Sequence, residues 1–94
     1  MVKEIRIDTT ITAGNDYLLD LSSYGREGDY ATIVEKGSNA SISQLENETD
    51  MFTTVYHYKP NAKFSGTDLV TLSIHDNSSC RKDSTTLYLN LTVK

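Results

Sequence analysis

Apolar and polar residues alternate along most of this 94-residue chain. Alternation with period two sends successive side chains to opposite faces of an extended backbone, so each such run predicts a strand with one face on a core. Ile5, Ile7, Thr9 and Ile11 mark a first strand. After the turn Thr12–Asp16, whose Gly14 and Asn15 tolerate positive φ, Tyr17, Leu19 and Leu21 mark a second. Tyr30–Glu35 reads as a third, and the turn signal Lys36-Gly37-Ser38-Asn39 leads to a short fourth through Ala40, Ile42 and Leu45. A short turn between two such runs predicts that they form a hairpin. A helical turn within Gly28–Leu45 is the one alternative to strand there. Leu45–Asp50 is acidic and aperiodic, and is expected to be an exposed connection. Phe52, Thr54, Tyr56 and Tyr58 alternate until Pro60 ends the run. Asn61–Gly66 then turns the chain into the alternation of Val70, Leu72 and Ile74. Leu87, Leu89, Leu91 and Val93 close it. About seven strands with turns every 8–12 residues or so, and no long 3.6-residue period, predict an all-β sandwich of two packed layers.

The segment around the central turn also carries a resemblance. The pattern Tyr58-x-Pro60-x-x-x-Phe64-x-Gly66-x-Asp68, followed by an alternating strand and His75-Asp76-Asn77, resembles the tandem bacterial Ig-like and cadherin-like repeats of cell-surface proteins. Tyr17-x-Leu19-x-Leu21 after a Gly-containing turn is similar to the second strand of the same repeats. The resemblance implies an Ig-like (cadherin-like) antiparallel β-sandwich, with residues 1–94 as a single domain. It further implies an extracytoplasmic setting, whether cell surface, periplasm or secreted, with tethering to other domains or to the envelope. The expected function is that of a non-catalytic spacer or adhesion module. The alternative is an accessory domain that binds a carbohydrate or protein through end loops such as residues 22–29, where Tyr24 sits among Ser and Gly as a contact candidate. Neither reading names the protein or glycan partner.

Composition narrows the choice. The net charge is −4, and the nine basic residues are scattered rather than gathered into a stripe, which argues against nucleic acid. No apolar run approaches the roughly 20 residues of a membrane span, and no signal-like segment follows Met1. Cys80 is the only cysteine, so no internal disulfide forms. It is read as a bystander thiol whose neighbours Arg81 and Lys82 favour the thiolate.

The motif residues have structural readings. Pro60 stiffens the turn by fixing φ, and Gly66 supplies a conformation that a Cβ penalises. Tyr58 and Phe64 bracket the turn, with Phe64 expected to fold inward as a plug. Asp68 is expected to accept backbone N–H groups of its turn. Calcium is the one cofactor the resemblance raises, with Asp16, Asp68 and Asp76 the best-placed of scattered oxygen donors. Calcium needs six to eight converging oxygens, however, and there is no D-x-D-x-D string, so the expectation is that no cofactor is bound. His57 and His75 fall on the phase opposite the apolar residues and should face solvent from different sheets. There is no Gly-x-Ser-x-Gly elbow and no phosphate-cradling glycine loop. An enzyme is not expected.

Overall fold

A computed structural model describes residues 2–24, 30–47, 54–75 and 84–94. Of the sequence readings, those on Phe52, Asp76, Cys80 and most of the 22–29 loop lie outside the described residues. The strands are β1 (Val2–Ile11), β2 (Tyr17–Asp20), β3 (Tyr30–Glu35), β4 (Ala40–Glu46), β5 (Val55–Pro60), β6 (Gly66–His75) and β7 (Ser84–Val93), with one 3₁₀ turn at Ser22–Tyr24. They form a four-stranded sheet in the order β1-β7-β6-β3 and a three-stranded sheet in the order β2-β5-β4. The protein is thus an all-β sandwich, as the alternation predicts.

Register explains why the alternation was so regular. In the larger sheet Val70 lies opposite Leu89 and Leu72 opposite Leu87. On the other side of β7, Ile5 pairs with Leu87, Ile7 with Leu89 and Ile11 with Val93. One slip by a single residue would turn every one of these side chains to solvent. The buried set is Ile11, Leu21, Tyr56, Tyr58, Val70, Leu72, Ile74, Leu87, Leu89, Leu91 and Val93. Leu45 packs against this cluster and β4 runs through Glu46, so the first two residues of the expected connection are strand. Where the region of the helical alternative is described it is strand on either side of residues 36–39 and contains no helical turn.

The expected hairpin is overturned. β3 and β4 are not a hairpin, because β3 pairs with β6 in one sheet and β4 with β5 in the other. Residues 36–39 carry the chain across from sheet to sheet. A bulge at Ile33/Glu35 ends the β3–β6 ladder just before the crossing, as bulges do where a strand must leave its sheet.

The sandwich is not antiparallel throughout, as the resemblance implies it should be: the first and last strands are parallel over ten pairs, from Val2–Ser84 to Ile11–Val93. Lys94 N–H donates to the Ile11 carbonyl and Ala13 N–H to the Lys94 carbonyl, at 2.9 and 2.8 Å, which carries the ladder past the strand ends. Val2 and Lys94 therefore sit at opposite ends of that ladder.

Candidate functional site

Two polar constellations stand out, one inside the sandwich and one on its surface. The inner one gathers the motif. Asp68 shares the inward phase of Val70, Leu72 and Ile74, so its carboxylate enters the core edge and is only 4% exposed. Tyr58, inward from β5 on the opposite sheet, donates its hydroxyl to Asp68 Oδ2 at 2.7 Å. Burial, and next the hydrogen bond to Asp68, push the Tyr58 phenol well above its ordinary range, so it stays protonated and remains a donor. Ser38 N–H donates to Oδ1 at 2.9 Å and Asn39 N–H to Oδ2 at 3.1 Å. Successive backbone N–H groups of this kind make an anion-binding concavity, here filled by the protein's own carboxylate.

Asp68 was expected to accept N–H groups of its own turn; it accepts those of the β3–β4 crossing instead. It ties β6, β5 and the crossing segment together at one point. Gly37 makes the approach feasible: its φ is +87°, and a Cβ there would lie 2.7 Å from Asp68 Oδ2.

The other motif residues are spread around this tether. Pro60 is the buried last residue of β5 and pairs with Ala40 at the β4 bulge, where a missing N–H is tolerated. The turn after it closes with Phe64 N–H donating to the Asn61 carbonyl at 3.0 Å. Phe64 is half-buried rather than an inward plug. Its ring lies across Gly66, 3.5 Å from where a Cβ would be, and Gly66 itself has φ +133°. Beside the tether, Tyr56 forms a 2.5 Å hydrogen bond with Ser43, while burial pushes its phenol up to about 12.

The outer constellation lies on the solvent face of the β2-β5-β4 sheet. His57 Nε2 is 2.5 Å from Asp16 Oδ2, and Nδ1 is 2.8 Å from Glu46 Oε2. Gln44 donates to the same Glu46 oxygen at 2.7 Å, and Lys59 Nζ is 4.0 Å from Asp16 Oδ1. The solvent-facing phase of His57 was legible from the sequence, but its partners were not. They meet only through the register that puts Leu18 and Gln44 on either side of His57. His75 is on the other sheet, stacked on Tyr30 at 4.9 Å between centroids and within 3.2 Å of Thr32 Oγ1.

Of the calcium candidates, Asp16 and Asp68 are described, and they are not brought together. Asp68 is buried among three hydrogen-bond donors, and Asp16 faces His57 and Lys59. No cluster of three or more His, Cys, Asp or Glu among the described residues is arranged to hold a metal. With no dense string of carboxylates in the sequence, thermal unfolding scans in EDTA and in millimolar calcium are expected to superimpose. A ligand of the folded state alone raises stability by RT ln(1 + [L]/Kd), so a Tm several degrees higher in calcium would sink this expectation.

Tyr24, the contact candidate, closes the 3₁₀ turn with its N–H on the Leu21 carbonyl, and its ring is partly buried against the core. The larger sheet's outer face carries a shallow depression of about 350 Å³ lined in part by Arg6, Glu35, Leu69, Tyr88 and Asn90. Tyr88 is held there by donating to Glu4 Oε2 at 2.7 Å. Among the described residues no helix is long and apolar enough to cross a membrane.

No family model and no curated protein matches the chain. A solved endo-fucoidan hydrolase of glycoside hydrolase family 107 is similar over 93% of this chain, at 19% identity and a TM-score of 0.47. This chain spans 13% of that one, and a likeness so slight carries no argument about activity.

Proposed function

We propose that the chain is a non-catalytic Ig-like module of a bacterial surface or secreted protein, serving outside the cytoplasm as a spacer or adhesion domain. The observation that carries this reading is the parallel β1–β7 ladder, which lets the chain enter at one end of the sandwich and leave at the other. A domain threaded this way adds its length to a string of domains instead of folding back on its neighbour. The long axis measures 46 Å against 23 and 18 Å for the others. The strand order supports the Ig-like part. In chain order the strands of the smaller sheet are the second, fifth and fourth, and those of the larger include the third, sixth and seventh. That is the division of an Ig constant-type sandwich, with the first strand moved across to the seventh. The non-catalytic part is supported by the use made of the polar groups. The buried carboxylate holds strands together, and the partly buried His57 imidazole has a carboxylate at each ring nitrogen.

A spacer on a surface must resist tension between its ends, and the ladder predicts how. Pulling on the two termini loads β1 against β7 in shear, so the ten pairs must fail together. Handles at Thr67 and Thr92, which face each other near one end of the β6–β7 ladder, peel pairs apart one after another. Single-molecule pulling is expected to show a clearly higher unfolding force for the first geometry, since forced unfolding reads the barrier rather than the equilibrium stability. Equal forces, or the reverse order, would remove the mechanical argument for a spacer.

A further inference from the structure

A carboxylate can only accept hydrogen bonds, and a neutral imidazole has one N–H and one lone pair. His57 presents both ring nitrogens to carboxylates, at 2.5 Å to Asp16 and 2.8 Å to Glu46. Both contacts are attractive only for the doubly protonated ring. The neutral ring must turn a lone pair towards one of two anions. We propose that Asp16, His57 and Glu46 form a proton-operated clasp that pins both edge strands of the β2-β5-β4 sheet to its central strand and lets go of β2 when the imidazole loses a proton.

The placement of the three residues makes it a clasp and not an isolated surface pair. Glu46 is the last residue of β4, Asp16 immediately precedes β2, and His57 is in the middle of β5. His57 lies opposite Leu18 on one side and Gln44 on the other, so the carboxylates reach it diagonally from opposite directions. The side chain is only 15% exposed, against 45% for Asp16 and 36% for Glu46, which keeps the contacts partly shielded from water. Among the described residues, Lys59 stands beside Asp16 and Gln44 beside Glu46, and Asp20 follows on β2. Asp20 is engaged locally, its Oδ1 accepting Ser22 N–H at 2.9 Å.

The asymmetry of the site decides which contact is lost. Glu46 is held by Gln44 as well as by His57, so the proton that stays on the neutral ring is retained at Nδ1. Nε2 then faces Asp16 without a proton, and Asp16 turns to Lys59, whose ammonium already stands 4.0 Å away. What is loosened is the entry to β2, a four-residue strand that pairs only with β5. Short edge strands are the elements most easily opened below the global unfolding free energy.

The hydrogen bonds His57 donates to Glu46 first, and to Asp16 next, raise its pKa. A raised folded-state value adds stability that is complete below the unfolded pKa of about 6.5 and is lost as pH climbs through the folded one. Glu46 moves the opposite way: Gln44 first, and then His57, hold its pKa below 4.5. Its contribution is present above the ordinary value and lost as pH falls through the lowered one. Between the two ranges, in mildly acid solution, the clasp is closed.

The test is an NMR titration of the intact protein with amide exchange in parallel. The His57 ring signals, identified by their loss in His57→Gln, are expected to titrate above about 6.5. Both ring nitrogens should carry protons below that transition. Amide protection across Tyr17–Asp20 is expected to drop on the alkaline side while that of Leu87–Leu91 holds. In His57→Gln the β2 amides should show the low protection at every pH, and in Glu46→Gln the ring should titrate lower than in the wild type. A ring that titrates at or below its ordinary value, or β2 protection that ignores the transition, would overturn the proposal.

Discussion

Asp68→Ala is expected to destabilise the protein by about 3–5 kcal/mol, since it strands three donors at once and leaving a buried one unpaired costs roughly 1–3 kcal/mol. The donors are the Tyr58 hydroxyl and the N–H groups of Ser38 and Asn39. The total stays below the simple sum because the crossing segment is at the surface and part of it regains water. Against a domain stability of roughly 5–15 kcal/mol this is a large loss. It should appear in denaturant melts as a lower midpoint with unchanged m, the signature of lost stability without a change in exposed surface. Tyr58→Phe removes one charge-assisted hydrogen bond and leaves the carboxylate its two backbone donors, so about 1.5–3 kcal/mol is expected. Asp68→Asn should fall between wild type and alanine, because its amide keeps one acceptor oxygen but turns a donor towards a donor. An alanine variant that loses less than about 1 kcal/mol would mean that these groups are already solvated.

The strands were legible in the sequence because each buries one face, and burial of one face writes period two into the residue types. What could not be read was how strands pair, which depends on contacts far apart in the chain. The β3–β4 crossing shows the difficulty. Lys36-Gly37-Ser38-Asn39 has the chemistry of a tight turn, and a tight turn between strand-like runs ordinarily makes a hairpin. Here the same residues leave one sheet and enter the other, with their N–H groups fixed by a carboxylate 29 and 30 residues away. Phe64 was misjudged for a related reason: an aromatic in a polar loop has no phase, so the pattern does not say whether it enters the core. The tether did leave a signal. Asp68 is in step with Val70, Leu72 and Ile74, and a carboxylate on the core phase of a strand must have buried partners. Tyr58, in step with Tyr56, was the polar group best placed to be one. The clasp left none, because Asp16 and Glu46 reach His57 only through the pairing of β2 and β4 with β5.

Gly37→Ala tests the tether from the other side, and its expected cost is comparable, about 3–5 kcal/mol. Part is backbone strain. Gly37 sits at φ +87°, and holding a residue with a Cβ in that region costs of order 1–3 kcal/mol. The rest comes from the collision. The new methyl would be 2.7 Å from Oδ2, 3.0 Å from Cγ and 3.1 Å from Oδ1 of Asp68, so one side must move. The Asp68 side chain is short and held by donors from two directions. If it shifts it loses Tyr58, and if the crossing segment lifts instead it loses the Ser38 and Asn39 N–H groups. Either way Gly37→Ala removes much of what Asp68→Ala removes, and the two substitutions cannot be additive. In the Asp68→Ala background the collision is gone, and Gly37→Ala should cost only its strain of about 1–3 kcal/mol. The double-mutant cycle is then expected to return a coupling of about 1–3 kcal/mol, within the range seen for residues in direct contact. Additive losses would mean that Gly37 is there for its φ alone and that the approach of Asp68 to the crossing does not depend on it.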